Sequence, residues 1–115
     1  MSLPKVLSSQ IEDDRATFEL SIPGDLEEFA GHFPGSPILP GVVQIDWAMK
    51  FAGEHLIAAD TVARDFQVKF RNPIQPNDLL TLEVRIEREK ARLYFEYRSA
   101  ERTMSSGRIV LESMT

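Results

Sequence analysis

Apolar and polar residues alternate with a period of two along most of this chain, and the alternation breaks once, between Gly31 and Ala58. Before the break, Ala16, Phe18, Leu20 and Ile22 fall on one side and Thr17, Glu19 and Ser21 on the other. That pattern predicts a half-buried strand. The extended run Lys5 to Ile11 precedes it across the acidic turn Glu12-Asp13-Asp14, so the two form a hairpin. Pro23-Gly24 ends the hairpin, and Asp25 with Glu28 three residues on predicts a capped turn of helix through Ala30. After the break, Phe66, Val68 and Phe70 alternate with Gln67, Lys69 and Arg71. Leu80, Leu82, Val84 and Ile86 then alternate with Thr81, Glu83 and Arg85, and Leu93, Phe95 and Tyr97 with Tyr94, Glu96 and Arg98. A last strand is expected from about Gly107 to Glu112. Asn72-Pro73 and Pro76-Asn77 mark an irregular connection, while Arg88 to Ala91 and Ala100 to Ser105 read as hairpin turns.

Inside the break the spacing changes. Val42, Val43, Ile45, Trp47, Ala48, Met49, Phe51, Ala52, Leu56 and Ile57 cover most of a helix circumference, which predicts a helix buried on nearly all sides. Pro40 suits its start, since a missing N–H is not needed there and φ is preset. From Gly41 to Ala58 the helix would be about 27 Å long. The order is two strands, one buried helix and four strands. A helix buried all round needs a sheet that curls around it, so the expected class is α+β, one domain over residues 1–115.

Composition narrows the function classes. With 43% apolar and 27% charged residues the chain should fold. No cysteine is present, which rules out disulfides, thiolate catalysis and Cys-ligated zinc and fits a reducing compartment. The N-terminal stretch lacks a basic start and apolar core, and no run approaches a membrane span, so a cytoplasmic protein is expected. A net charge of −5, with Lys and Arg spread through alternating patterns, argues against nucleic-acid binding.

Candidate chemistry clusters at the break. Asp46 interrupts an apolar helix, where an ionised carboxylate is costly unless paired or hydrogen-bonded. One reading makes Asp46, Lys50 and Glu54 a solvated or ion-paired stripe, and the other makes Asp46 and His32 a functional pair with Gly41 between them. His55 is read as structural, near a helix end that favours a cation. One histidine and one aspartate supply too few ligands for zinc, and the Gly-rich segment lacks the Lys-Ser/Thr of a phosphate loop. No metal or other cofactor is expected.

Gly31-His32-Phe33-Pro34-Gly35, then Pro40-Gly41-Val42, then Asp46 fourteen positions after the histidine resembles the motif of the hot-dog-fold 3-hydroxyacyl-(acyl carrier protein) dehydratases. The strand and turn from Phe66 to Asp78 is similar to that family's strand ending in basic-x-Pro and then Pro-Gly/Asn-Asp, and the likeness extends from about Lys5 to the C-terminus. The resemblance implies a curved antiparallel sheet wrapped around a central helix, in agreement with the element order. It puts the catalytic histidine on His32, the catalytic acid on Asp46 and the carbonyl-binding amide on Gly41, with each site of a dimer taking its histidine and acid from different subunits.

The implied reaction removes water from a 3-hydroxyacyl thioester to leave a trans-2-enoyl thioester. It needs a base for the α-proton, an acid for the departing hydroxyl and a donor for the thioester oxygen. His32, Asp46 and the Gly41 N–H at a helix start fit those roles. Phe33, Val42, Gln44 and Trp47 are the substrate-lining candidates, Trp47 having core packing as its second reading. Gly-Val-Val-Gln-Ile-Asp-Trp-Ala resembles the small dehydratases of aryl polyene clusters more than the main branches, and the Pro-His-Arg-Phe-Pro type of N-terminal segment is absent from these residues. The expected partners are an acyl carrier protein or coenzyme A thioester and a second copy of the chain, in a homodimer or a larger assembly. Arg64, Lys69 or Arg71 would either dock an acidic carrier or form the wet face of a strand. A thioesterase of the same fold and a non-catalytic acyl-thioester-binding module are the rival readings.

Overall fold

The structure, a computed structural model, describes residues 3–26 and 38–113. Its elements are β1 (Lys5–Ile11), β2 (Arg15–Ser21), α1 (Gly41–His55), β3 (Thr61–Phe70), β4 (Leu79–Glu87), β5 (Arg92–Ser99) and β6 (Arg102–Ser113), with a short 3-10 turn at Arg88–Lys90. The six strands form one sheet in the order β1-β2-β4-β5-β6-β3, antiparallel at every junction. The expected turn of helix from Asp25 to Ala30 falls largely outside the described residues.

The period-two patterns of β2, β4 and β5 put Phe18, Leu20, Leu80, Leu82, Val84, Leu93, Phe95 and Tyr97 on one face, all buried. Val43, Trp47, Ala48, Phe51 and Ala52 of α1 complete the same core. Phe18 lies 4.8 Å from Phe51 between ring centroids and also stacks on His55 at 6.1 Å, so β2 supports the C-terminal half of the helix. The architecture is the hot-dog fold, a curved antiparallel sheet around one long helix. No helix among the described residues is long and apolar enough to cross a membrane.

Four expectations are corrected. The helix stops at His55 rather than Ala58, because the Leu56 and Ile57 amides both return to the Ala52 carbonyl, at 2.7 and 3.1 Å, and Leu56 turns into the core. Arg88 then donates to the Leu56 carbonyl at 3.0 Å, closing that end. β6 begins at Arg102 rather than Gly107, since the turn before it is only Ala100-Glu101, with Ala100 in the left-handed region at φ 55°. The helix is not covered all round: Val42 is 72% exposed, and Ile45, Asp46 and Met49 are only partly buried. Finally, β3 is an edge strand whose apolar side is uncovered, with Phe66 52% and Phe70 57% exposed.

Candidate active site

The helix start is built by backbone contacts from the β3–β4 connection. Leu39 N–H donates to the Ile74 carbonyl at 2.8 Å, and the Arg71 and Asn72 amides donate to Met104 O at 2.9 and 3.0 Å. Asn72 also donates through its side chain to the Thr103 carbonyl at 2.8 Å. Asn77 turns the connection with φ 69°, a conformation that asparagine tolerates better than most residues, and its amide donates to Ile22 O at 2.8 Å. The chain therefore enters α1 between two fixed strand ends.

Pro40 is the N-cap rather than the first helical residue, with ψ 145° and no side-chain cap. Its carbonyl accepts from Val43 at 3.1 Å and Gln44 at 3.3 Å. Gly41 opens the helix, so its N–H has no acceptor within it. A Cβ at Gly41 would lie 2.4 Å from Phe70 Cζ, so only glycine lets the ring rest on the helix start. Beside them is a cavity of about 350 Å³, lined chiefly by Leu39, Gly41, Gln44, Phe70, Arg71 and Pro73.

Of the sequence-predicted residues, Gly41 and Gln44 line this cavity. Gln44 is buried: its Nε2 donates to Leu39 O at 3.2 Å and its Oε1 accepts from Ser105 Oγ at 2.6 Å. Val42 projects outward, and Trp47 is wholly enclosed in the core. His32 and Phe33 lie outside the described residues. Asp46 is half-buried and does not wall the cavity, yet its Oδ2 is buried with no hydrogen-bond partner among the described residues. The ion pairs among the described residues join Arg15 and Arg98 to Glu83, Arg98 to Glu96, Arg88 to Asp14 and His55 to Glu54, and none includes Asp46. Both Lys50 and Glu54 are exposed. A solvated stripe accounts for those two side chains but not for the buried carboxylate oxygen.

Geometry separates Asp46 from the cavity of its own chain. Five residues along a helix turn through about 140°, so Gly41 and Asp46 project to different sides. Gln44 and Asp46 are about 160° apart. Sequence reasoning missed Phe70 and Pro73 as walls of the cavity, and Tyr97 and Ser105 as the residues behind Gln44. Phe70 was readable only as one more inward strand position. Tyr97 is wholly buried and donates to the Gln44 carbonyl at 2.6 Å. Burial first, and the Asp46 charge second, push its phenol well above the usual value, so it remains a donor. Among the described residues no three His, Asp or Glu side chains cluster to hold a metal.

Residues 8–108 match the family model of the ApeI-like proteins, described as ApeI dehydratase. The dehydratase heterocomplex ApeI:P from Xenorhabdus doucetiae is similar at 36% identity and a TM-score of 0.88, covering 96% of this chain and 98% of that one. An uncharacterized protein from Erwinia carotovora subsp. atroseptica is 34% identical with a TM-score of 0.86, covering 98% of both chains. The 3-hydroxyacyl-[acyl-carrier-protein] dehydratase FabZ of Erythrobacter litoralis is 40% identical over 77 residues, 59% of this chain and 51% of that protein. The chain thus spans about half the length of the curated relatives it matches. A probable thioesterase from Bartonella henselae, 19% identical with a TM-score of 0.63, shares the fold.

Proposed function

Because the chain belongs to the ApeI-like dehydratase family, matched over residues 8–108, we propose that it dehydrates 3-hydroxyacyl thioesters at a site assembled from two chains. His32 takes the α-proton, the C–H electron pair becomes the C2=C3 double bond, and the C3–O bond breaks. Asp46 of the second chain gives its proton to the leaving hydroxyl, which departs as water. The Gly41 N–H donates to the thioester oxygen as negative charge develops there, with no side chain to block its approach. Proton return from His32 to Asp46 through solvent resets the site.

One observation carries this reading. Among the described residues, the cavity at the helix start has the backbone donor but no acid, while Asp46 presents a buried oxygen without a hydrogen-bond partner on another side of the helix. In a pair of identical chains, the Asp46 of each can then complete the cavity of the other. The uncovered Val42, Phe66 and Phe70 supply an apolar surface for the pairing, and β3 is an open sheet edge. The leading assembly is a homodimer. The heterocomplex named for the Xenorhabdus relative makes a mixed pair the alternative, to be separated by the mass of the native complex.

The substrate is carried by an acyl carrier protein, as the names of the relatives say of them. Lys69, Arg71 and Arg108 border a groove of about 680 Å³ on the outer face of the sheet whose lining, among the described residues, includes no acidic residue. Arg71 borders both this groove and the helix-start cavity. On a chain of net charge −5 this is where an acidic carrier would dock.

The deciding experiment mixes two inactive variants. His32→Ala and Asp46→Asn should each lower turnover by ~10²–10⁴-fold. Random exchange of their subunits should restore about a quarter of wild-type activity, since half the dimers are mixed and each has one intact site. No recovery under verified exchange would sink the two-chain site. Free thiol release without an enoyl product would instead establish a thioesterase.

A further inference from the structure

The first turn of α1 has to hold a donor still, yet its N-cap is a proline that makes no side-chain cap bond. An uncapped turn frays, because its leading N–H groups have no partner inside the helix. Here the turn is held from the sheet instead, through Gln44. Tyr97 Oη on β5 donates to the Gln44 carbonyl at 2.6 Å, and Ser105 Oγ on β6 donates to Gln44 Oε1 at 2.6 Å. Gln44 Nε2 then reaches back five residues to the Leu39 carbonyl at 3.2 Å.

Chemistry fixes the direction of these bonds. Leu39 O can only accept, so the amide nitrogen of Gln44 faces Leu39 and its oxygen faces Ser105, whose hydroxyl must donate. The three bonds span Leu39, Pro40 and Gly41 from below and connect two strands to the turn. All three polar side chains are buried, where a hydrogen bond is not exchanged for water.

Resting on the dehydratase reading above, we propose that Tyr97 and Ser105 are positioning residues, acting through Gln44 to hold the Gly41 N–H aimed into the cavity. Neither touches the substrate. Deleting either hydroxyl leaves the side-chain packing almost unchanged, and the Gln44 carbonyl keeps its place in the helix. What is lost is the restraint on the turn, and a donor to a developing oxyanion is sensitive to small displacements.

The test compares Tyr97→Phe, Ser105→Ala and the double variant in two measurements. In steady-state dehydration of a 3-hydroxyacyl thioester on a small thiol, each single variant is expected to lose about 10-fold in kcat with KM within about twofold. The double variant should lose no more than about the larger single loss, rather than the ~100-fold of independent sites, because both act on Gln44. A packing role alone would lower Tm without this split. The second measurement is amide hydrogen exchange by NMR. Exchange at Val43 and Gln44, whose amides donate to the Pro40 carbonyl, should accelerate in both variants, while the amides from Trp47 to Ala52 keep wild-type rates. Multiplicative losses, kcat within about twofold of wild type in both variants, or unchanged exchange at the turn would overturn the proposal. If the wild-type protein dehydrates no thioester, the functional reading fails and exchange alone decides whether the tether exists.

Discussion

Gly41 answers to two demands at once, an open backbone donor and room for the Phe70 ring. A methyl there would press on Phe70 Cζ and Cε1 at 2.4 and 2.9 Å, but these are ring atoms of a side chain, which can turn where backbone could not. Gly41→Ala is therefore expected to cost activity far more than stability: turnover about 10-fold lower, with the melting temperature changed little. Adding Phe70→Ala should recover part of the loss, and no recovery in that double variant would place the fault in the backbone rather than the ring. Tyr97 supports a second prediction. Its phenol is raised by burial, so the folded state keeps the proton after the unfolded chain has released it. The stability this gives is complete below the ordinary phenol value of about 10 and is lost as pH rises from there toward the folded value. Alkaline unfolding followed by circular dichroism should be less steep in Tyr97→Phe, by up to about 1.4 kcal/mol per pH unit. Equal slopes would show that the buried hydroxyl ionises as freely in the fold as outside it.

Among the elements, β5 and β6 do the most to place the site, and Gly107 is what lets them pack. An added Cβ there would lie 2.6 Å from Phe95 Cε2 and 2.9 Å from the Gln67 carbonyl on β3, a backbone atom that cannot rotate away. Gly107→Ala should destabilise the fold by roughly 1–3 kcal/mol in urea unfolding. A value near zero would mean that β3 can shift at this edge. The same element shows how far the sequence could be read. Strands β2, β4 and β5 were legible because each buries one face, so their period survives in the composition of every second position. The start of β6 was not, because Arg102 and Thr103 are polar, and what extends the strand is its pairing with Ser99 and Arg98. β3 misled for the opposite reason: Phe66 and Phe70 have the pattern of a buried face but lie at an edge that the single chain leaves open.

For the whole molecule, charge sets the next expectation. If the Lys69, Arg71 and Arg108 groove docks an acidic carrier, KM for the carrier-bound substrate should rise steeply with salt between 0.05 and 0.5 M, on the order of 10-fold. Lys69→Glu combined with Arg108→Glu should raise it more than for the same acyl group on a small thiol. Equal effects on both substrates would remove the groove from carrier recognition. At this scale the division between sequence and structure is plain. The sequence by itself determined the element order, the one long helix and the spacing of His32, Gly41 and Asp46, because periodicity and short motifs are local properties of a chain. Tertiary structure alone decided that β3 lies beside β6 rather than β4, that Tyr97 and Ser105 meet at Gln44, and that Asp46 stands outside the cavity its own chain forms. The strand pairing and the two bonds to Gln44 join residues 35 to 61 positions apart, and the cavity that Asp46 stands outside is closed by Phe70, Arg71 and Pro73 from beyond the helix. No local pattern encodes them, since they arise only when the sheet closes around the helix.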